Sequence, residues 1–503
     1  MKTIHPRPYR DTKNKDFFEP VVIKLRNADF TGVSVKMGKI AVVYQFCFFP
    51  NLTIESTEDI DFPEASISFM NCLIRELHID NITSRNISVS FHASMLAGRV
   101  SATELLSVSL NNCLLESSLF LLGIQKVDIS YTTENIFPYW WKRLFDKRRI
   151  RDTNLLFIRE QRYHIENPKK LKIHSSKKAN DRAGFYLNEF NSEKEYQIGY
   201  RLFEEEENLF KIQLFLKYDS ENPDEQTLIN NVGLYSLSLT GSPNGRLSVE
   251  NTRIGNWYLS EFSPKGETGF YNINPRQPHD ETTKIGIHKC DLDKVWFENV
   301  YFGKFGRLSF YRSKFSNSVF MACSFPEDYK KFSKFAPGEN VHYPENKTEN
   351  FDKDQYEIFL QLKKALDATG NYYEGNKLLA MSHTALSKVK SIAPGEWFIL
   401  KTNWLSNNHG LSILWPFLWL LSVSTTFYLA YLWIAGMLFQ QTDFDANLIG
   451  NYFSFIDFTH RNDFLLDKKD INGWLLAIDY LNKVFLAYFI FQFIAAFRKY
   501  GKK

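Results

Sequence analysis

Residues 308–325, LSFYRSKFSNSVFMACSF, place a phenylalanine at every fifth position: Phe310, Phe315, Phe320 and Phe325. A period of five matches neither an α-helix, which has 3.6 residues per turn, nor a flat strand, which alternates every two residues. It fits a square coil in which each five-residue face sends one large apolar side chain inward, so that a turn takes about 20 residues. The stretch therefore predicts a parallel β-helix.

The same pattern recurs through the first two thirds of the chain. Similar segments, in which two apolar residues flank a small or polar one, start about 20 residues apart, and a second group follows after an interruption. The copies begin at Ile67, Ile87, Val108, Val127, Leu247, Ile285 and Leu308. Because each rung can bury its core only against its neighbours, we expect stacked turns at the strand spacing of about 4.8 Å. A sandwich of short strands is the alternative.

The stretch 297–325 resembles a pentapeptide-repeat protein, with Phe at the central inward position. The resemblance implies a right-handed parallel β-helix, which we expect over 20–136 and 231–327. The five cysteines are odd in number and far apart, which argues against a disulfide scaffold and favours a reducing compartment. We interpret them as small inward residues of the coil and not as metal ligands; they are Cys47, Cys72, Cys113, Cys290 and Cys323.

Residues 137–230 break the repeat, and we predict an inserted α+β segment there. Its aromatic and basic start, FPYWWKRLFDKRR at 137–149, is compatible with a helix on an anionic membrane surface. A solvated basic face beside buried tryptophans is the other interpretation. The net charge of the whole chain is only +4 and no nucleic-acid-binding module accompanies the basic runs, so no nucleic-acid partner is expected.

After a polar linker at 328–351, the pattern changes to that of helices, and we predict a helical hairpin as a rigid neck over 352–400. Asp352 or Asp354 can cap the first helix, and Gly370-Asn371 is a good termination signal. Residues 362–372 resemble one tetratricopeptide-like hairpin, although a single copy is too short to form an array.

Two apolar segments near the end predict transmembrane helices at 408–439 and 474–498. The first contains 29 uncharged residues from Leu411 to Phe439, where about 20 are enough to span a bilayer. The second contains Asp479 and Lys483, four residues apart, so that they can pair on one helix face near its outer end. A buried amphipathic hairpin of a soluble protein is the alternative.

Basic residues precede the first segment and follow the second. They are Lys388, Lys390 and Lys401 before the first segment, and Arg498 and Lys499 after the second. Positive charge favours the cytoplasmic side. The sequence therefore predicts a cell inner membrane protein with both termini in the cytoplasm and an outer loop at 440–473.

This loop carries YFSFIDFT at 452–459, which resembles the pore helix of the two-transmembrane ion-channel family. The resemblance implies a bacterial, potassium-channel-related pore module in a homo-oligomer, with a tetramer as the family's form. The family continues with a glycine-containing filter, whereas here the chain continues without glycine, which argues against selective potassium conduction. The pore and outer-loop candidates are Thr459, His460, Arg461, Asn462 and Asp463.

Together these patterns predict a mixed fold: a β-helix with an inserted segment, a helical neck and a two-helix membrane module. The functional hypothesis is a channel-like membrane protein whose cytoplasmic β-helix senses or binds an unidentified protein or ligand. A non-conducting membrane-anchored scaffold is the alternative. The sequence contains no Walker loop, Gly-x-Ser-x-Gly or His-Glu-x-x-His motif, so we expect no enzyme, catalytic residue, cofactor or metal.

Overall fold

The computed structural model separates the chain into two compact units, 1–343 and 344–503. It describes residues 21–25, 39–45, 48–49, 51–56, 64–132, 160–176, 211–276, 281–333, 335, 351–438, 446–467 and 470–497, with short gaps at 71, 75, 80–85, 93, 97–98, 112, 116–117 and 220–221. Within these ranges the first unit consists of strands and short turns, and the α-helices lie in the second.

The first unit is a parallel β-solenoid. Two long sheets run along it, one of 12 strands and one of 11, and a short sheet of four strands covers part of a third face. Its strands, in chain order, are β1 Val21–Leu25, β2 Lys39–Gln45, β3 Phe48–Phe49, β4 Leu52–Ser56, β5 Glu64–Met70, β6 Leu73–Ile74, β7 Leu77–Ile79, β8 Ile87–His92, β9 Met95–Leu96, β10 Val100–Thr103, β11 Ser107–Asn111, β12 Leu114–Leu115, β13 Ser118–Leu122, β14 Lys126–Thr132, β15 Glu160–Glu166, β16 Lys170–Ser176, β17 Lys211–Tyr218, β18 Gln226–Asn230, β19 Gly233–Gly241, β20 Arg246–Glu250, β21 Arg253–Phe262, β22 Thr268–Tyr271, β23 Asn274–Pro275, β24 Lys284–His288, β25 Trp296–Glu298, β26 Arg307–Tyr311 and β27 Val319–Met321.

The predicted period of five is present in the last turns of the solenoid. Phe297 of β25 pairs with Phe320 of β27, and their rings stack with centroids 5.0 Å apart. Phe302 stacks on Phe325 at 4.9 Å, one face further along the chain. Phenylalanines five residues apart therefore occupy successive faces of the coil. In earlier turns, such as the one containing β4, β5 and β6, strands of up to seven residues replace the five-residue faces.

The register of the repeats differs in two places from the alignment of the sequence with itself. Ile67 of β5 pairs with Val89 of β8, and not with Ile87. Leu247 lies in the 11-stranded sheet, whereas Ile285 pairs with Leu308 in the 12-stranded sheet. The turns vary in length, so a fixed interval of 20 residues does not identify the paired positions.

The predicted insertion at 137–230 needs correction where the structure describes it. Strands β15, β16, β17 and β18 lie in this range and continue both long sheets by parallel pairing. They alternate inward apolar side chains, such as Tyr163 and Ile165, with outward polar ones, and so satisfy the solenoid pattern. The basic and aromatic stretch at 137–149 and the acidic run at 204–207 lie outside the described residues.

A ladder of asparagines lines one corner of the solenoid. Asn251, Asn272 and Asn299 each have a φ between +49° and +55°, a left-handed conformation that asparagine tolerates better than most residues. Their side-chain amides bond from turn to turn: Asn251 donates to Asn230 at 3.2 Å, Asn272 to Asn251 at 2.9 Å and Asn299 to Asn272 at 3.0 Å. The ladder fixes the corner at which successive turns stack.

Four cysteines have described side chains, and all four are buried; they are Cys72, Cys113, Cys290 and Cys323. Their thiols lie beside backbone carbonyls of the coil, as Cys323 Sγ does at 3.3 Å from the Phe297 oxygen. Burial raises the pKa of Cys113 and of Cys290 to about 12, so these thiols stay protonated. They act as small inward residues, as the sequence predicted.

The second unit is helical in its described part. Its helices are α1 Phe351–Ala368, α2 Tyr372–Leu386, α3 Pro394–Asn407, α4 Leu414–Ile434, α5 Ala446–Ile456 and α6 Gly473–Phe497. The predicted hairpin is formed by α1 and α2: Gly370 takes a φ of +80°, and the Asn371 side chain accepts a hydrogen bond from the Glu374 backbone. Helix α3 was not expected.

A pair of histidines joins the hairpin to the turn after α3. The ring centroids of His383 on α2 and His409 lie 5.3 Å apart. Burial, with His383 and Lys401 beside the ring, lowers the pKa of His409 to about 4 from 6.5, and burial also lowers the pKa of His383. The folded unit therefore holds both rings neutral where the unfolded chain would bind protons.

This pair predicts a loss of stability in acid. Between pH 6.5 and about 4 the unfolded chain binds more protons at these sites, so the free energy of unfolding falls as the pH falls through this window. His409→Asn should weaken the dependence, since asparagine tolerates the φ of +53° at this position. The measurement is the melting temperature of the helical signal in detergent across the window. An equal slope in the variant would assign the dependence to other groups.

Candidate functional site

Two helices of the second unit, α4 and α6, are long and apolar enough to cross a membrane. Large apolar side chains cover the outer sides of both helices, as Trp433 on α4 and Val484 on α6 show. Such surfaces are unfavourable in water and suit lipid. The predicted span at 408–439 thus corresponds to a shorter helix at 414–434, and the one at 474–498 to a helix of the same length at 473–497.

A charged cluster lies where the loop between the two helices meets α6. The Asp479 carboxylate is 2% exposed. One of its oxygens lies 2.7 Å from His460 Nε2 and the other 3.2 Å from Lys483 Nζ. Asp479 and Lys483 thus make the i,i+4 contact that their spacing predicts, and His460 adds a second partner from the loop.

The rest of the loop completes this cluster. Lys483 Nζ also donates to the His460 carbonyl at 3.0 Å and to Asn462 Oδ1 at 3.1 Å. His460 Nδ1 faces the Asp457 carbonyl oxygen at 2.5 Å, so both ring nitrogens face acceptor oxygens. The cluster therefore fastens residues 457–462 onto α6.

A second polar contact connects α4, α5 and α6. The Asn482 side chain donates to the Phe455 carbonyl at 3.0 Å and accepts from the Ser424 hydroxyl at 3.1 Å. Asn482 and Ser424 are both buried. Hydrogen bonds of this kind hold helices together in lipid, where an unsatisfied polar group is costly.

Aromatic side chains pack around both polar contacts. Phe455, at the end of α5, is fully buried and lies with its ring 5.5 Å from Tyr428 and 5.8 Å from Tyr431. Phe464 packs against Phe455 and against the His460 ring. Helix α5 is thereby held against the other two helices of its own chain.

Three of the five predicted loop candidates lie apart from the cluster. Thr459 donates from its backbone and hydroxyl to the Asp457 carboxylate at 2.9 and 2.7 Å, and these bonds lower the pKa of Asp457. The Arg461 side chain is 82% exposed, with Nε 3.7 Å from Asp463. His460 and Asn462 are the two candidates that the structure brings together with Asp479 and Lys483.

Chemically, the arrangement is a closed set of mutual contacts: one carboxylate contacts an ammonium and an imidazole, and aromatic side chains pack around them. Among the described residues, no group of three or more His, Cys, Asp or Glu side chains could hold a metal ion. The cluster acts as a structural clamp between loop and helix.

Several polar residues of this unit were not singled out from the sequence. Ser424, Asn482 and Gln492 interrupt apolar helices, and a polar residue in such a segment is itself a signal of an interhelical contact. Asn403 and Asn407 gave no comparable signal, because they lie in a helix that was not predicted.

The chain matches no protein-family model, no curated protein and no solved structure.

Proposed function

We propose that this protein is a membrane-anchored binding protein, in which α4 and α6 cross the cytoplasmic membrane and the β-solenoid presents a surface to a soluble partner. The supporting observation is the pairing of polar groups within one chain. Asp479 is paired with His460 and Lys483, and Asn482 is paired with Ser424 and with the Phe455 carbonyl. Each of these polar groups therefore has a hydrogen-bonding partner within the same chain, as the absence of water in the bilayer core requires.

The solenoid supports the binding role. Its turns stack through uninterrupted parallel pairing, which gives long, regular outer faces, and solenoids commonly use such surfaces to bind other macromolecules. The outward positions carry many polar and charged side chains, as Lys314 with Asp291 and Asp293 illustrates.

Reporter fusions test the membrane anchoring. Alkaline phosphatase fused after residue 445 should be active, because this position lies in the external loop, and a fusion after residue 503 should be inactive. A fluorescent protein that folds only in the cytoplasm should give the opposite result, with fluorescence after residue 503 and none after residue 445. Activity of both phosphatase fusions, or of neither, would contradict the two-span topology.

The second candidate function is an oligomeric pore, and the position of α5 favours it. A short helix between two apolar helices has the order found in two-transmembrane channels, and the exposed Arg461 lies in the loop that would face the pore mouth. In a homo-oligomer, copies of this guanidinium would oppose the entry of cations.

Current recordings distinguish the two functions. The pore hypothesis expects a current from purified protein in planar bilayers and a shift of its reversal potential toward cation preference in Arg461→Asp. The anchor hypothesis expects no current from either form, with crosslinking that reports a monomer. A current that is identical in both forms would exclude Arg461 from the conduction path.

A further inference from the structure

Helix α3 has its polar and apolar faces in the reverse of the usual order. Its inward side chains include Asn403, Ser406 and Asn407, of which the last two are buried. Its outward side chains are large and apolar, with Phe398 66% and Trp404 53% exposed. A helix on the surface of a soluble protein buries its apolar stripe and exposes its polar one. The α3 pattern is stable only where the outer medium is itself apolar.

The inward polar face of α3 is bonded to α6. The Gln492 side chain donates to Asn403 Oδ1 at 3.1 Å and accepts from the Asn407 amide. Ser406 Oγ and the Tyr488 hydroxyl lie 3.1 Å apart. These contacts hold α3 against the membrane helix through side chains that are expensive to leave unpaired in lipid.

The same contacts fix the depth of α3. Gln492 lies five residues before the end of α6, which is about 8 Å along the helix. Trp419, whose indole donates to the Leu405 carbonyl at 3.1 Å, lies about 8 Å from the start of α4. If α4 and α6 span a bilayer, the C-terminal half of α3 lies at the boundary between headgroups and acyl chains.

The composition of the outward face fits that depth. Trp397 and Trp404 flank Lys401, whose ammonium lies 5.8 and 5.6 Å from their rings. Tryptophan and lysine are the residues typical of membrane interfaces, where the ring sits at headgroup level and the cation meets lipid phosphate. At 14 residues, α3 is too short to span.

We propose that α3 is an interfacial helix that buries its outward face, formed by Trp397, Phe398, Trp404 and Leu405, in the lipid of the leaflet where α4 begins and α6 ends. The inference rests on the proposed membrane anchoring by α4 and α6. The Asn403–Gln492–Asn407 contact, which we call the amide lock, holds the helix at this depth.

The test uses an environment-sensitive fluorophore attached to single added cysteines in the full chain in vesicles, with Cys47→Ser in every variant. The probe positions are Phe398→Cys on α3, Val484→Cys on the outer side of α6 and Lys364→Cys on the exposed surface of α1. Doxyl lipids quench a probe in the bilayer, and iodide quenches one in water. The chain without an added cysteine gives the background.

We expect lipid quenching at 398 to be within about twofold of that at 484, with iodide quenching only at 364. Iodide quenching at 398, with lipid quenching at 484, would overturn the inference and leave the anchoring intact. Protection at 398 from both quenchers would also overturn it, because a protein surface would then cover the helix. Absence of lipid quenching at 484 would refute the anchoring itself.

Two further variants test whether the amide lock holds α3 at this depth. Gln492→Leu removes the side-chain amide that bonds to both α3 asparagines, so lipid quenching at 398 should fall. Phe491→Leu, a change at the neighbouring exposed residue, is the matched control and should leave the quenching unchanged. Equal quenching in both variants would show that the lock does not set the depth of α3.

Discussion

Replacing Asp479 with alanine should destabilise the helical unit by about 3–5 kcal/mol, since it leaves the Lys483 ammonium without its counter-charge and the His460 ring without its acceptor. His460 and Lys483 both contact this carboxylate, and the side chains of His460 and Asp479 are almost fully buried. The free energy of unfolding is measured in mixed detergent micelles from the helical circular dichroism signal, because the α-helices of the described chain all lie after residue 350.

Asp463 provides the matched control for this experiment. Its carboxylate lies in the same loop and faces the exposed Arg461, so Asp463→Ala should change the free energy of unfolding by about 0–1 kcal/mol. Equal losses in the two variants would show that the Asp479 cluster contributes no more than a surface ion pair.

Phe320→Ala should destabilise the solenoid by about 3–5 kcal/mol, because it opens a cavity in the aromatic stack of the last turns. The Phe320 side chain is 1% exposed and stacks on Phe297. Phe310 and Phe315 are equally buried, so the same substitution there should have a comparable effect. Thermal unfolding of the β-sheet signal gives the measurement.

The neighbouring residue on β27 is the control. Met321 points outward and is 46% exposed, so Met321→Ala should change the stability by less than about 0.5 kcal/mol. If Phe320→Ala melted at the same temperature as Met321→Ala, the inward assignment of the period-five positions would be wrong.

The β-helix could be predicted from the sequence because its inward positions demand large apolar residues at a fixed spacing. The register could not, because the turns differ in length: Val108 pairs with Val89 and Val127, 19 residues to either side, whereas Leu52 pairs with Val21 across 31. The positions at which strands begin and end depend on the lengths of the loops, and the loop sequences have no periodic pattern.

The candidate site was predictable only where its contacts join residues that are close in sequence. The Asp479–Lys483 contact follows from helix geometry alone, since residues four apart share a face. The approach of His460 depends on the path of the loop, which no local pattern specifies. Helix α3 was missed because its polarity is reversed, so that it resembles neither a soluble amphipathic helix nor a full span.

The wide spacing of the central strands bears on the order in which the solenoid forms. Register partners lie 44 residues apart between β13 and β15 and 51 apart between β15 and β17, roughly twice the separation found in the turns on either side. Each doubling of a closed loop adds only about 0.6 kcal/mol of entropic cost. Solenoid folding can nucleate at any turn and then propagate to the neighbouring turns. We expect propagation to be slowest across residues 133–210, where the loops to be closed are longest.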